Sequence, residues 1–319
     1  MEVELLIQNG SKVYIPVVEE GIIWTTERKG TPGQLTFNVV KDDLINFTEG
    51  NAVRLRVDNK NIFYGFIFIK KRDKDGIIKV TAYDQIRYLK NKDTYVYTNK
   101  RADEFIRMVA SDFNLNVGTL ENTGYKIASR VEDNVALIDM IQNSLDLTLM
   151  NKKEMFVLYD DFGKLTLKSI QSMRLNLLID EETGENYSYT SSIDSDTYNK
   201  IKLVYDNEKS GKRDIYIAQD SNNMNNWGIL QYFDTLKEGE NGKAKADALL
   251  SLYNKKTRNL TIQNAFGDTR VRAGSMVVVQ LNLGDVKLNN LMLVEKCKHK
   301  FNLDEHFMDL TLRGGEFVA

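Results

Sequence analysis

The sequence predicts an α+β fold that is mainly β: two similar small β-barrel domains with an intervening α/β domain. Three observations carry this. Short strands crowd the first ninety residues. The apolar period changes from two to that of a helix near residue 100. Strands then return after residue 199, in an order that repeats the first block. The chain has 319 residues, room for two or three domains at roughly 100–200 residues each. With 42% hydrophobic and 28% charged residues it can bury a core and is not a disordered chain.

Apolar runs at 4–7, 12–17, 21–26 and 34–40 open the first block. Val53, Leu55 and Val57 alternate with Arg54, Arg56 and Asp58, the period of a half-buried strand. Residues 62–70 follow as a strand apolar on both faces. A charged turn at 73–76 leads to Ile78, Val80 and Ala82, which alternate with Lys79 and Thr81. Short strands in such a series suggest a small closed or nearly closed barrel, and a first tube-like domain at 1–97. In the middle segment, 98–195, Phe105, Ile106, Val109, Ala110 and Phe113 share one helical face. Leu137, Ile138, Ile141 and Leu145 form a second such stripe. A hairpin follows at 154–169, turning at Asp160, Asp161, Phe162 and Gly163. The polar, acidic residues 180–197 read as a linker or exposed loop. The last segment, 196–319, reads as a second tube-like barrel with one inserted helix, which buries Ala244, Ala248, Leu249, Leu252 and Tyr253. Its strands fall at 199–205, 214–218, 259–264, 275–281, 291–301 and 306–312.

The two β blocks share an order. Gly50 precedes an alternating strand, then a long strand, a turn and a last strand ending near Tyr83. Gly274 precedes Val277, Val279 and Leu281, and again a long strand, a turn and a last strand follow. An internal duplication explains this; so does the likeness of any two antiparallel meanders.

Composition removes several function classes. Lys+Arg 43 against Asp+Glu 45 leaves a formal charge of -2, which argues against specific nucleic-acid binding, since duplex binders carry a marked basic excess. A single Cys rules out an intrachain disulfide and a Cys-based zinc site, and two His leave little for a His-rich metal centre. The start Met1-Glu2-Val3-Glu4 has no basic leader. The longest apolar run, from Ile62 to Ile69 and interrupted by Gly65, is far short of the roughly 20 apolar residues that cross a bilayer. The expectation is a protein made in the cytoplasm without stable membrane insertion.

No phosphate-binding loop, dinucleotide fingerprint or G-x-S-x-G elbow occurs in the sequence; Gly274-Ser275 opens a strand with no following Gly. Asp220, Asn222 and Asn226 resemble part of a calcium loop, broken at Met224 and Gln231. Cys297 and His299 point to one face of a strand with His306 across the turn, half a metal site at most, and ordinary barrel residues are the simpler reading. The expectation is a protein that is not an enzyme and takes no cofactor. Two surfaces stand out instead. Lys296, Lys298 and Lys300 make a basic stripe near Arg270 and Arg272, either a solvated strand face or a face turned to a channel or partner. Phe63, Tyr64, Phe66 and Phe68, with Ile67, give one strand two apolar faces, which need cover from the same domain or from another subunit.

Residues 81–89 (TAYDQIRYL), then 93–97 (DTYVY) and a helix ending in 112–115 (DFNL), resemble the XkdQ/YqbQ proteins of defective prophages and contractile phage tails. Residues 271–275 (VRAGS) and 294–312, with His299, Phe301, His306 and Met308, resemble the closing barrel of the same group, itself similar to the late-control gene D type of baseplate hub. The resemblance covers nearly the whole chain. It implies a structural hub: a homotrimer whose two barrels per chain make a pseudo-sixfold ring, adapting the sixfold tail tube to the threefold spike and forming part of the central channel. A closed ring leaves no heterologous contact open, and a lumen without excess positive charge lets DNA or ions pass. The partners implied are further copies of the chain, the tail tube protein, the central spike protein, baseplate wedge proteins and the tape measure protein. The place implied is the tail baseplate of a virion or a phage-tail-like bacteriocin particle, assembled in the bacterial cytoplasm. Some relatives carry a fused wall-degrading domain; here the last strand ends near Leu312, so such activity is expected on another protein. The alternatives are a tail-associated peptidoglycan hydrolase and a surface-binding tail module.

Overall fold

A computed structural model describes residues 1–314 apart from 20, 42, 43, 73, 75, 195, 208–210, 237–239, 285, 286 and 303. The chain divides into two compact units, one holding Met1–Leu149, Glu154–Ser188 and Leu260–Ala319, the other Met150–Lys153 and Tyr189–Asn259.

The first unit opens with β1 (Val3–Asn9), β2 (Lys12–Tyr14), β3 (Ile22–Glu27), β4 (Gln34–Val40), β5 (Ala52–Val57), β6 (Lys60–Arg72) and β7 (Ile77–Tyr83). Alternation decides their faces: Ile22 and Trp24, Leu35, Phe37 and Val39, and Val53, Leu55 and Val57 are all buried in one core. The β5–β6 hairpin turns on Asp58 and Asn59, both at positive φ (47° and 61°), the geometry whose twist matches that of the flanking strands. The charged turn expected at 73–76 lies partly outside the described residues.

The chain continues with a 3-10 helix at Gln85–Lys90, then β8 (Lys92–Lys100), α1 (Ala102–Asp112), β9 (Val117–Leu120), β10 (Ile127–Ala136), α2 (Leu137–Lys152), β11 (Phe156–Asp160) and β12 (Leu165–Ser169). The expected apolar stripes of α1 and α2 meet here: Phe105, Ile106 and Val109 pack with Leu137, Met140 and Ile141 beneath Leu165 and Leu167. Glu104 accepts from the Arg101 backbone N–H at 2.8 Å and starts α1. β8 and β10 form a two-stranded ribbon that the sequence pattern did not predict.

Next come β13 (Arg174–Ile179) and β14 (Asn186–Ser192). The stretch expected to be a linker therefore contains a strand. Its seven residues are polar or aromatic, so they carry no apolar period, while Tyr and Thr still favour the pleated backbone. The smaller unit is built from β15 (Lys200–Asn207), β16 (Lys212–Gln219), α3 (Ser221–Trp227), β17 (Gln231–Thr235) and α4 (Gly242–Tyr253). β15 sits between antiparallel β16 and parallel β17, and Ala246 and Leu249 of α4 pack on Ile201 and Leu203. The expected inserted helix is α4; α3 is a second, short one, capped by Asp220, whose carboxylate accepts from Asn223 N–H at 2.8 Å.

β18 (Thr257–Phe266), β19 (Met276–Asn282), β20 (Lys287–Asn302) and β21 (Glu305–Gly314) complete the chain. Among the described residues, thirteen strands form one sheet in the order β14-β18-β21-β20-β3-β4-β7-β6-β5-β1-β2, with β19 beside β20 and β13 beside β19. This corrects the expectation of two closed barrels: no closing pair joins either block to itself among the described residues. The physical reason is the length of β20. Its first half pairs with β19 and its second half with β3, so the two β blocks run into one another.

Candidate functional site

The β3–β20 seam joins residues some 270 positions apart. Lys296 lies opposite Glu27, Lys298 opposite Thr25, His299 opposite Trp24 and Phe301 opposite Ile22. Arg28 makes a two-pronged ion pair with Glu295, Nε to Oε2 at 2.7 Å and Nη2 to Oε1 at 2.9 Å. Its side chain is 5% exposed, so this pair is shielded from the screening that weakens surface pairs. Beneath the strands, Trp24 stacks on His299 at 4.8 Å and Phe301 on His306 at 4.4 Å.

His299 is satisfied by protein alone. Nε2 must donate to the Val271 carbonyl at 2.8 Å, which leaves Nδ1 to accept from His306 Nε2 at 2.8 Å. Burial, then the neighbouring His306, lowers the His299 pKa to about 3. Burial lowers that of His306 to about 4. Both rings are therefore neutral at ordinary pH. Burial also pushes the Cys297 thiol up, away from the thiolate form that would bind a metal. Among the described residues no group of three or more His, Cys, Asp or Glu side chains is placed to hold a metal ion.

A second feature escaped the sequence reading: a buried polar node that ties the seam to the α/β segment. Asp84 follows β7 and accepts from Gly33 N–H at 2.8 Å and Ile86 N–H at 3.0 Å. Arg272 donates to the Asp160 carbonyl at 2.8 Å, and its guanidinium lies 3.9 Å from the centre of the Tyr159 ring. Desolvation, then the nearby Asp160, raises the Asp84 pKa well above the usual carboxylate value. Desolvation likewise raises that of Asp160. Arg272 stays charged, because guanidinium does not lose its proton in proteins. The only sequence signal was Arg272 in a run otherwise small and apolar (residues 271–275).

The predicted surfaces are placed as follows. Phe63 is 3% exposed and belongs to the core. Tyr64, Phe66 and Phe68 point to the other face of β6 and are half-buried. Phe66 meets Tyr64 and Tyr88 edge-on, Phe68 meets Tyr83, and Tyr64 leans on Phe162 at the β11–β12 turn. Arg54 and Arg87 cover this aromatic ladder by cation–π contact. Of the lysines, Lys296 is paired with Glu27 at 2.5 Å and Lys300 with Asp309 at 2.7 Å. Lys296 and Lys298 line an open cleft of about 410 Å³ with Arg87, Lys90, Glu27 and Tyr83. The structure thus brings Lys296 and Lys298 together with basic residues of the 3-10 helix, and turns Lys300, on the same face of β20, towards Asp309 and Asn264.

The two β blocks share an order of pairing, β3-β4-β7-β6-β5-β1 in the first and β14-β18-β21-β20-β19-β13 in the second, and part only at the last pair, where β1 runs antiparallel to β5 but β13 parallel to β19. The likeness extends to single bonds. In the first block Thr48 N–H donates to the Asn51 side chain and Asn51 N–H to the Thr48 carbonyl; in the second Arg272 N–H donates to the Ser275 side chain and Ser275 N–H to the Arg272 carbonyl. Gly50 and Gly274 follow at φ 86° and 96°. Gly50 N–H then donates to Ile67 O and Gly274 N–H to Val294 O. The next residue of each long strand, Phe68 or Glu295, is a bulge.

Comparison with known proteins gives a consistent result. The family model described as YQBQ-like matches residues 22–313. The YqbQ protein of Bacillus subtilis (strain 168) is 29% identical over 311 residues, covering 94% of this chain and 93% of its own. The phage-like element PBSX protein XkdQ of the same strain is 28% identical over 311 residues with the same coverage. Among solved structures, the 43 kDa tail protein of prophage MuSo2 from Shewanella oneidensis has a TM-score of 0.74 at 11% identity, covering 99% of this chain and 100% of that one. At that identity the likeness is one of fold: mainly β, as in a phage tail protein.

Proposed function

We propose, from the premise that this chain belongs to the YQBQ-like family, that it is the baseplate hub of a contractile phage tail or a related bacteriocin particle. In this reading three copies form a ring. Segment 1–97 supplies one tube-like face; the second, related face comes from 196–319 together with β13 and β14 at the end of 98–195, and the rest of 98–195 braces them from outside. The ring adapts a sixfold tail tube to a threefold spike and forms part of the channel, with the wedge and tape measure proteins as further neighbours. Its role is geometric and not catalytic, and its place is the tail of the particle.

The observation that carries this is the doubled strand order with its matched glycine turns and bulges. Two equivalent faces per chain, taken three times, offer a hexameric neighbour six nearly equal contacts, and a closed ring leaves none unsatisfied. The Arg28–Glu295 pair and the Asp84–Arg272 node support it, because they stiffen the junction between the two faces. Half-exposed Tyr64, Phe66 and Phe68 are the subunit-contact candidates on the first face. Lys296 and Lys298 are those turned to the channel or a partner. Multi-angle light scattering tests the reading: the purified protein is expected at three times the chain mass. A monomer at high concentration, together with no ring density in electron micrographs of the particle, overturns it.

A further inference from the structure

The two halves differ at one point that their symmetry makes conspicuous. After its bulge, β20 carries β21 on one edge and β3 on the other. After the matching bulge, residues 69–72 of β6 carry β7 on one edge and, among the described residues, no strand on the other. Ile69 there is 50% exposed, and Lys71 and Arg72 are exposed. The counterpart of β3 in the second half is β14. It pairs with β18 and, among the described residues, ends the sheet, so its outer edge is also open there. Within one chain, then, the sheet has one filled seam and both halves of a second.

We infer that β14 of one copy pairs antiparallel with residues 69–72 of β6 in the next copy, repeating between chains the β20–β3 seam within each chain. This rests on the ring reading above and names where that ring is sewn together.

The filled seam supplies the register. Val294 and Ile67 hold equivalent bonds, so Lys296 corresponds to Ile69 and His299 to Arg72. On the other side, Leu260 and Ile262 of β18 take the buried places of Leu35 and Phe37 of β4. The Thr261 hydroxyl reaches the Ser188 carbonyl, so Ser188 takes the place that Ile23 holds opposite Thr36. Trp24 therefore corresponds to Tyr189 and Glu27 to Ser192. Lys296 opposite Glu27 and His299 opposite Trp24 then become Ile69 opposite Ser192 and Arg72 opposite Tyr189, with Lys71 opposite Thr190.

Two further features fit. β14 contains no charged residue and no proline, the devices that keep a solvent-facing edge from pairing with other chains. Glu185 and Asp194 flank it, while the receiving edge exposes Lys71 and Arg72, so the charges are complementary. The contact is heterologous, and a heterologous contact is used up only when a ring closes.

Cysteine pairs read the register directly, because the native Cys297 is buried and facing strand residues have Cβ atoms about 4.5–5.5 Å apart. The chain carrying Lys71→Cys and Thr190→Cys is oxidised mildly as the assembled protein. It is expected to give covalent dimers and closed trimers on non-reducing gels, at least fivefold more than Lys71→Cys with Ser188→Cys, which is two residues out of register. If the variant is trimeric by light scattering and Lys71→Cys/Thr190→Cys gives no more cross-link than the shifted pair, the seam is wrong and the ring stands. If it is monomeric, the ring and the seam fall together. Deuterium exchange of the unmodified protein is the second measurement. Amides of 69–72 and 187–192 are expected to exchange at least tenfold more slowly in the trimer than after dilution to monomer, and equal rates overturn the seam.

Discussion

The two β halves of the larger unit share a frame and spend it differently. In the first half the long strand β6 shows aromatic side chains to the α/β segment, and its far end is, among the described residues, an open edge. In the second half the equivalent strand is capped at that end by β3, with the Trp24–His299 stack below and the Arg28–Glu295 pair above. Gly50 has open space where a side chain would go, whereas a Cβ on Gly274 would sit 2.9 Å from Val157 Cγ1 and 3.0 Å from the Met173 methyl. Where the first half has Thr48, the second has Arg272 in the buried node. One backbone plan therefore serves both as an inner joint, packed on all sides, and as an outer face. The backbone frame is shared; the neighbours decide the side chains.

Substitutions can break that comparison, and the largest effect falls at the node. Arg272→Met removes the bond to the Asp160 carbonyl and the cation–π contact with Tyr159. It is expected to cost about 3–5 kcal/mol, a charge-assisted hydrogen bond and a desolvated cation–π contact together, whereas Thr48→Ala at the equivalent turn is expected to stay within about 0.5 kcal/mol. Urea unfolding of both variants checks this, and equal losses would erase the distinction between inner joint and outer face.

The glycines come next. Each stands at positive φ, where any side chain costs about 1–2 kcal/mol. Gly274→Ala also overpacks against Val157 and Met173, adding about 1–3 kcal/mol. Thermal denaturation should therefore rank Gly274→Ala clearly below Gly50→Ala; the reverse order would contradict the packing described.

Acid distinguishes the halves as well, because both histidines of the chain lie in the second. Their folded pKa values, about 3 for His299 and about 4 for His306, lie below the ordinary 6.5. Below pH 6.5 the unfolded chain binds protons that the folded one refuses, so stability falls with pH through that window and levels off near pH 3–4. Asp84 and Asp160 act in the opposite sense, since their raised pKa values let the folded state hold protons that the unfolded state has released. The histidine contribution is isolated by His306→Gln, which is expected to flatten the dependence between pH 6.5 and 4.5; an unchanged slope would remove the histidines as its source.

The smallest effect is Lys296→Ala. Its pair with Glu27 is half exposed, worth about 0–1 kcal/mol, and salt should erase even that. Arg28→Ala, at the buried end of the same seam, should cost several times more and resist salt.

Much of this was legible in the residues. Alternation at Val53, Leu55 and Val57 and the helical stripes of α1 and α2 placed those elements, and Gly50 and Gly274 marked the repeat. β8, β10, β14 and β17 were missed because they lack a buried apolar face along their length, so no period of two appears; the short β9 was missed as well, and β13 was passed over although Leu175, Leu177 and Ile179 alternate. The candidate surfaces were half legible. Phe63 to Phe68 did announce a strand with two covered faces, yet nothing local told that Phe63 lies in the core while Tyr64, Phe66 and Phe68 meet the α/β segment. The lysine stripe was visible, but not that Glu27 and Asp309 neutralise two of its members.

Local pattern alone placed most of the strands and the helices α1, α2 and α4, raised the doubling as one of two readings, and showed no apolar run long enough to cross a membrane as a helix, because period, turn residues and length act over a few positions. Tertiary structure decided that the two blocks share one sheet, that Arg272 meets Asp160 and that one strand edge is filled while its twin stands open. These depend on which edge meets which across hundreds of residues, and strand edges present the same N–H and C=O groups whatever the sequence.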